Sequence, residues 1–316
     1  MGEFMSQTLN VAVIGVGHLG RWHADKYAAA EHCNLAAVVD TDLDAARAVA
    51  DKHGAEAMTN YQDTLAHIDA VSLVVPTSLH YEIARNCLEA GVHCLIEKPI
   101  TESVEQAQTL IDIADRKNLV LQVGHIERFN PVMLDIDQLL EQPQFIESTR
   151  LAPFTPRATD VSVILDLMIH DIDIILDLIS SPIQRISASG ISVLSDEIDI
   201  ANARLEFASG CVANVTASRI SRKRERKLRL FQKDAYISAD LQDKVLAVNR
   251  KGEQRAEHGF HEITHSEKTY DDSDALNLEV LDFLQAIRTG GRPKVSGEDG
   301  RRALETAIEI TRLIHA

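Results

Sequence analysis

The stretch that decides the fold of this chain is Leu9-Asn10-Val11-Ala12-Val13-Ile14-Gly15-Val16-Gly17-His18-Leu19-Gly20. A short apolar run rich in valine and isoleucine leads into Gly-x-Gly-x-x-Gly, and a helical pattern follows. A strand, a tight turn and a helix in this order can hold the pyrophosphate of a dinucleotide. Gly15 permits the turn, Gly17 leaves room for the phosphates, and Gly20 lets the helix pack close to the strand. The helix dipole and the free N–H groups at the helix start favour an anion there, so His18 and Leu19 are also candidates for cofactor contact.

A second apolar run, Leu35 to Val39, ends in Asp40, which stands 20 residues after Gly20. A carboxylate at this place can accept hydrogen bonds from both hydroxyls of the adenosine ribose, and it would repel the 2′-phosphate of NADP. An ordinary acid at a strand end, or a helix N-cap, is the alternative interpretation of Asp40. We predict that the cofactor is NAD.

The composition narrows the class of protein. With 316 residues the chain is long enough for two domains, and its net charge of −16 argues against general nucleic-acid binding. No apolar run has membrane-spanning length, and the first residues lack the basic region and apolar segment of a signal peptide. The cysteines show no paired spacing, so we expect reduced thiols in a cytoplasmic protein; they are Cys33, Cys87, Cys94 and Cys211.

Strand-like and helix-like segments alternate up to about residue 125. We predict strands at 68–75, 92–96 and 119–123, and helices at 42–53, 78–90 and 101–117, with Ser78 as an N-cap. This alternation predicts a parallel sheet that is covered by helices on both faces. Ligands of such sheets bind at the carboxyl ends of the strands, where the strand order reverses.

Polar residues follow three of these strands and should lie at the same edge as the glycine-rich turn. They are Pro76, Thr77 and His80 after one strand, Glu97 and Lys98 after the next, and His125 after the last. Pro99 biases Lys98 towards an extended backbone, which can direct its side chain into the crevice. A solvated loop lysine is the alternative.

The second half begins with Asn130-Pro131, which suits a helix N-cap and first turn, and a strand is predicted at 145–151. A helical period then runs from residue 160 to 173. Asp166 and His170 are four residues apart and should share a face, where the carboxylate could orient the imidazole as an acid–base pair. Two alternatives are a cap or core histidine and a metal site completed by Asp171 or Asp173, although these two acids fall on other faces of a helix.

From residue 183 to 249 the pattern changes to consecutive strands, which predicts a largely antiparallel sheet with a hairpin turn at Ser209-Gly210. The basic run from Arg219 to Arg229 is either the solvated side of a strand and its loop or a local anion site for a substrate diphosphate. We expect weak structure and no metal around three histidines whose spacing matches no ligand pattern, His258, His261 and His265. Two helical segments, 274–288 and 300–314, end the chain.

The motifs, in this order, resemble the Gfo/Idh/MocA family of NAD(P)-dependent sugar oxidoreductases over nearly the whole chain. They are the glycine-rich turn, Asp40, Pro76-Thr77 with His80, Glu97-Lys98-Pro99 and Asp166-x-x-x-His170. The resemblance implies an NAD-binding Rossmann domain at residues 5–125. It also implies a substrate-binding and oligomerisation α/β domain at 126–316, with a large, mostly antiparallel open sheet and last helices that can pack back on the first domain. It implies catalytic roles for Lys98, Asp166 and His170, and a homodimer or homotetramer formed through the second sheet.

Within the family, the run from Gly124 to Pro131 and the Asp-Leu-x-x-His-Asp form resemble a branch that oxidises UDP-N-acetylglucosamine at C3. The implied product is a 3-keto sugar nucleotide, which a partner aminotransferase converts to a 3-amino sugar for lipid A. Lys98 and His170 could exchange the roles of general base and alkoxide stabiliser, with Asp166 holding the histidine. Candidate sugar-nucleotide contacts are Arg128, Asn130 and Arg157. Other possibilities are a dehydrogenase of another sugar, an inositol or a UDP-uronic acid, and a non-catalytic NAD-binding sensor.

Overall fold

The structure is a computed structural model that describes residues 8–155, 161–255, 259–271 and 273–316. The chain divides into two compact units. The first unit contains the residues up to 126 together with 274–304, and the second contains 127–273 together with 305–316. Among the described residues, no helix is both long and apolar enough to span a membrane.

Six parallel strands form the sheet of the first unit, in the order β3-β2-β1-β4-β5-β6 among its described residues. The strands are β1 (Leu9–Ile14), β2 (Cys33–Val39), β3 (Glu56–Met58), β4 (Ala70–Leu73), β5 (His93–Glu97) and β6 (Leu121–Gly124). This is the Rossmann strand order, in which the direction of winding reverses between β1 and β4. The predicted parallel sheet is confirmed.

Helices connect these strands, and short polar side chains define where several of them begin. They are α1 (Gly20–Ala29), α2 (Leu43–His53), α3 (Thr77–Glu89) and α4 (Val104–Lys117). Asp42 caps α2 by accepting from the N–H groups of Asp44 and Ala45, and Ser103 caps α4. The predicted Ser78 cap is wrong, because α3 begins at Thr77 directly after Pro76.

A helix from the end of the chain completes the core of the first unit. Helix α7 (Ala275–Thr289) buries Val280, Phe283 and Leu284 in one cluster with the β1 residues Val11 and Val13. Full burial of each large apolar side chain stabilises the fold by about 1.5–3 kcal/mol. The last helix, α8 (Gly297–Ile314), crosses from the first unit to the second at residues 304 and 305.

Eight strands form the sheet of the second unit, in the order β14-β13-β12-β11-β7-β10-β9-β8 among its described residues. They are β7 (Pro143–Leu151), β8 (Ile183–Ile191), β9 (Ile200–Phe207), β10 (Val212–Ser218), β11 (Glu225–Gln232), β12 (Ala235–Asp240), β13 (Val245–Arg255) and β14 (His261–Thr269). Only the pair β7 and β10 is parallel within this described sheet, so the predicted, mostly antiparallel arrangement is confirmed. The expectation of weak structure around His261 and His265 is wrong, since both lie in β14, whereas His258 is outside the described residues.

The second unit contains helix α5 (Pro131–Leu139) and, later in the chain, the helical segments that carry the Asp-x-x-x-His motif. Helix α5 begins at the predicted cap Asn130, whose side chain accepts from the N–H of Val132. A turn of π-helix (Ile164–Met168) continues directly into α6 (Ile169–Leu178). The sequence predicted one helical period here, and the structure divides it into these two conformations.

Candidate functional site

The glycine-rich turn joins β1 to α1 under steric limits that exclude larger residues. Gly15 has φ of +85°, and a Cβ there would lie 2.5 Å from the carbonyl oxygen of Val74. A Cβ at Gly20 would lie 1.8 Å from the carbonyl oxygen of Gly15. Both positions therefore require glycine, for the turn and for the close approach of helix to strand.

Gly17 differs from these two glycines because a Cβ there would meet nothing within 4 Å. Gly17 lies between the end of β1 and the start of α1 and is exposed, as are His18 and Leu19. Backbone N–H groups of a helix start can bind phosphate when no side chain blocks their approach. The residues present thus fit the pyrophosphate of a bound NAD molecule.

A Gly17→Val variant is expected to fold as the wild type does, because the added side chain enters open space. The same side chain would occupy the position of the phosphates, so the Kd for NADH should rise at least about tenfold. NADH fluorescence titration measures the affinity, and the thermal unfolding midpoint measures the fold. Unchanged affinity would show that the pyrophosphate binds elsewhere.

Asp40 braces the glycine-rich turn. Its carboxylate accepts from the N–H of Val16 at 2.8 Å and from the N–H of Asp42 at 3.0 Å. The side chain is half-buried at the end of β2. Each carboxylate oxygen can accept more than one hydrogen bond, so these contacts are compatible with ribose binding as well.

The residues after β4 divide into two groups. Pro76 is exposed and Thr77 half-buried, whereas His80 is buried. The His80 ring nitrogens lie 2.9 Å from the carbonyl oxygens of Pro99 and Val75, so the imidazole ties the loop after β4 to the loop after β5. Burial lowers the pKa of His80, against the raising effect of these backbone contacts. His80 shapes this edge of the sheet through backbone contacts, and direct contact with NAD stays a prediction.

Glu97 and Lys98 stand where β5 ends. The backbone N–H of Lys98 donates to Glu97 Oε2 at 3.3 Å, and a Cβ on Gly124 would lie 3.0 Å from the same carboxylate. Burial acts to raise the pKa of Glu97, but the hydrogen bond and charge of His23 and the charge of Lys98 outweigh it and hold that pKa below its ordinary value. Lys98 is half-buried, and His125 after β6 is buried. Glu97, Lys98 and His125, which the sequence predicted at one edge of the sheet, therefore lie at or after the ends of parallel strands of the first unit.

Asp166 and His170 lie on either side of the change from π-helix to α-helix. Asp166 is in the π turn, where its backbone N–H donates to the carbonyl of Ser162 at 3.0 Å, and His170 is in the first turn of α6. Both side chains are half-buried. π-Helical turns occur often at functional sites, because they change the direction of side chains within a helix.

Asp171 belongs to a buried ion network that the sequence did not reveal. Arg150 donates to Asp171 through Nε at 2.6 Å and to Glu127 through Nη1 at 3.0 Å, and the Ser148 hydroxyl donates to Asp171 at 2.6 Å. Burial acts to raise the pKa of Glu127, but Arg150 and Arg226 outweigh it and lower that pKa. These contacts direct the Asp171 carboxylate towards Arg150, which argues against its use as a metal ligand with His170. Glu127 and Arg150 are 23 residues apart, so no local spacing in the sequence indicated that they share a network.

The described candidates for sugar-nucleotide contact have intramolecular partners. Arg128 is buried, with Nη2 2.8 Å from Asp177 and Nε 3.9 Å from Asp173. Asn130 caps α5 and donates to the carbonyl of Leu241 at 3.1 Å. Substrate contact by either residue stays a prediction, and Arg157 lies outside the described residues.

Arg219, the first residue of the basic run, has a buried side chain. It donates to the Asp199 carboxylate at 2.9 Å, to the carbonyl of Val161 at 2.6 Å and to the carbonyl of Ile198 at 3.2 Å. Arg219 therefore anchors the segment that enters the π turn. Other members of the run form ion pairs near the surface, as Arg229 does with Glu147 at 3.3 Å.

Comparisons with known proteins agree with this geometry. A Gfo/Idh/MocA oxidoreductase family model, described as an NAD-binding Rossmann fold, matches residues 9–125, and the model of a C-terminal domain of that family matches 141–238. The UDP-N-acetylglucosamine 3-dehydrogenase of Acidithiobacillus ferrooxidans is 39% identical over 309 residues, which cover 98% of each chain. A solved structure of that enzyme gives a TM-score of 0.90 with 97% of each chain covered.

More distant relatives share the fold. The myo-inositol 2-dehydrogenase of Thermotoga maritima is 25% identical over 318 residues, covering 94% of this chain and 93% of the relative. The scyllo-inositol dehydrogenase of Lactobacillus casei, solved with NAD(H) and scyllo-inositol, is 22% identical and gives a TM-score of 0.82 over 98% of this chain and 97% of that one. The chain matches family models over most of its length and a relative of 39% identity over nearly all of it. This chain therefore belongs to the Gfo/Idh/MocA family of NAD-binding oxidoreductases.

Proposed function

We propose that this enzyme oxidises the C3 hydroxyl of UDP-N-acetylglucosamine to a ketone, with NAD as the oxidant. The observation that carries the proposal is the 39% identity to a UDP-N-acetylglucosamine 3-dehydrogenase over 98% of both chains. The identity to the inositol dehydrogenase of Thermotoga maritima is 25% over a similar span. A sugar nucleotide is therefore the better supported substrate.

The reaction removes a hydride from C3 and a proton from the hydroxyl on that carbon. NAD, when bound, accepts the hydride. We assign the proton to Lys98 or His170, with the other residue stabilising the developing alkoxide charge. Asp166 would orient His170 and balance its charge when it is protonated.

Cofactor and substrate contacts complete the proposal. Asp40 would accept from the ribose hydroxyls and favour NAD over NADP, because its carboxylate repels a 2′-phosphate. Arg128, Asn130 and Arg157 are the proposed contacts of the sugar nucleotide. Arg128 and Asn130 are buried, so either would act at a covered part of the site.

We further propose a homodimer or homotetramer formed through the sheet of the second unit, and a role before an aminotransferase. A 3-keto sugar is the type of substrate that a transaminase converts to a 3-amino sugar. The use of that product in lipid A is part of the same proposal. Analytical ultracentrifugation tests the assembly independently of activity.

Absorbance of NADH tests the substrate. Purified enzyme with NAD and UDP-N-acetylglucosamine, together with the aminotransferase and glutamate to remove the ketone, is expected to form NADH continuously. Removal of the ketone matters because oxidation of a secondary alcohol by NAD is energetically unfavourable at neutral pH. NADH formation should require both the sugar nucleotide and NAD.

Parallel reactions replace the substrate by myo-inositol, scyllo-inositol or UDP-N-acetylglucosaminuronic acid at the same concentration. Turnover with one of these, and none with UDP-N-acetylglucosamine, would contradict the proposed substrate and leave the family unchanged. NADP in place of NAD tests the role of Asp40. Equal kcat/KM with the two cofactors would contradict that role.

A further inference from the structure

Three ionisable side chains of the first unit meet in its interior, outside the residues assigned above to the chemical step. His23 of α1, Glu97 of β5 and Glu279 of α7 place one nitrogen or oxygen atom each within 4.8 Å of one another. His23 Nε2 lies 3.2 Å from Glu97 Oε1, and His23 Nδ1 lies 3.2 Å from the Ser72 hydroxyl. The Tyr27 hydroxyl lies 2.7 Å from the same serine oxygen, so the contacts continue along α1. We call His23, Glu97 and Glu279 the buried triad.

Glu279 is the unusual member of the buried triad. Its side chain is fully buried, and neither carboxyl oxygen has a hydrogen-bond partner among the described residues. Burying a carboxylate without a partner costs far more free energy than burying a neutral carboxylic acid. Burial and the negative charges of Glu97 and Asp282 raise the pKa of Glu279 well above its ordinary value.

Glu97 has the opposite environment. It lies against His23 on one side and against the backbone N–H and the charge of Lys98 on the other. Glu279 is fully buried and Glu97 half-buried, so two carboxylates within 4.8 Å here cannot both be ionised without strong repulsion, and one holds a proton. The groups that stabilise a negative charge, His23 and Lys98, lie against Glu97. Glu97 is therefore the carboxylate, and Glu279 holds the proton.

We propose that the buried triad positions Lys98: Glu279 is a neutral acid that leaves Glu97 as the single anion, and His23 and that anion fix the backbone at Lys98. Glu279 and His23 are then positioning residues of the reaction proposed above, and the inference rests on that reaction only for the role of Lys98. The titratable groups that face the two glutamates are His23 and Tyr27 of α1, Lys98 after β5, and Asp282 on α7.

A metal site is the competing use of a histidine and two glutamates. Metal binding requires both carboxylates to be ionised and the facing histidine nitrogen to be free of its proton. Here the facing nitrogen of His23 is already engaged with Glu97. The structure therefore favours a shared proton over a cation.

The first test measures the proton directly. Infrared difference spectra of wild type minus Glu279→Gln at pH 7 are expected to show the carbonyl stretch of a protonated carboxyl group, which a carboxylate lacks. Glu102→Gln is the matched control, since Glu102 is an exposed glutamate of the same unit, and its difference spectrum should show carboxylate bands beside those of the glutamine amide, without the protonated-carboxyl stretch. Carboxylate bands for Glu279 as well, without that stretch, would overturn the proposal.

The second test uses pH and unfolding. Below the ordinary pKa of a carboxyl group, Glu279 is protonated in both the folded and the unfolded chain, so Glu279→Gln and wild type respond alike to pH. Above that pKa only the unfolded chain ionises, so the wild type loses stability as the pH rises towards the raised pKa of the folded state. The Tm of Glu279→Gln should therefore rise relative to wild type by about 2 °C for each pH unit above 5. A constant Tm difference across pH would overturn the proposal.

The third test addresses Lys98. Glutamine reproduces a neutral acid and alanine does not, so kcat of Glu279→Ala should be about tenfold below that of Glu279→Gln, with similar Kd for NADH. Equal kcat values would overturn the positioning role. A rise in the wild-type Tm with Zn²⁺ or Mg²⁺ that Glu279→Gln does not show would overturn it in favour of a metal site. The spectra and the Tm require no sugar, so failure of the proposed substrate would not be confused with failure of the triad.

Discussion

Lys98→Ala is expected to lower kcat by about a thousandfold while the affinity for NADH stays within a few-fold of the wild type. Lys98 follows β5 at the edge of the sheet that carries the glycine-rich turn, and its backbone is held by Glu97 and by the loop that contacts His80. Its ammonium group would act on the sugar oxygen, where charge develops as the proton leaves. Because that interaction strengthens in the transition state, its loss should appear in kcat.

Steady-state kinetics and NADH fluorescence titration measure the two quantities separately. Lys117→Ala is the control, since Lys117 lies at the end of α4 and pairs with Glu89 near the surface. His170→Asn, measured beside it, addresses which residue takes the proton: the variant of the base should lose the acidic limb of the kcat/KM profile. Turnover of Lys98→Ala close to that of wild type would contradict the catalytic assignment.

Arg150→Met is expected to reduce the free energy of unfolding by about 3–5 kcal/mol, because it leaves buried carboxylates without their cation. Methionine keeps much of the volume of arginine but supplies no hydrogen bond. Asp171 would retain Ser148 and Glu127 would retain Arg226, yet neither contact replaces the guanidinium that joins the two acids. The stability of the second unit therefore depends on the buried guanidinium of Arg150 in β7.

Urea unfolding followed by circular dichroism measures this change, and the slope with denaturant shows whether the unfolded state is comparable. Arg204→Met provides the contrast. Arg204 is an exposed residue of β9 that pairs with Glu206 at 3.2 Å, and surface pairs of this kind contribute at most about 1 kcal/mol. Equal losses for the two variants would show that the buried network contributes no more than a surface pair.

Local sequence signals predicted much of the first unit. The glycines at 15 and 20 specify a turn and a close approach that larger residues would obstruct, and the alternation of apolar runs with helical periods specifies parallel strands. Once the strands are parallel, the residues after each one must lie at the same edge. The placement of Asp40, Thr77 and Lys98 at that edge required no knowledge of tertiary contacts.

The unpredicted features depend on residues that are distant in sequence. His23 and Glu279 are separated by most of the chain, and neither occurs in a recognisable pattern. Arg219 appeared to belong to a surface run because its neighbours do, and only Asp199 and the carbonyl of Val161 make it a buried anchor. The position of a buried polar side chain depends on hydrogen-bond partners that are distant in sequence. The periodicity of a single strand or helix does not indicate these partners.

The π turn at Ile164–Met168 accommodates one residue more than an α-helix would over the same length. Removing one residue from this turn would leave a continuous α-helix and change the direction of the side chains inside the turn, Asp166 among them, relative to those in α6. Asp166 and His170 would then diverge although neither had been substituted. The relative direction of the two side chains therefore depends on the number of residues in this turn as well as on the identity of Asp166 and His170.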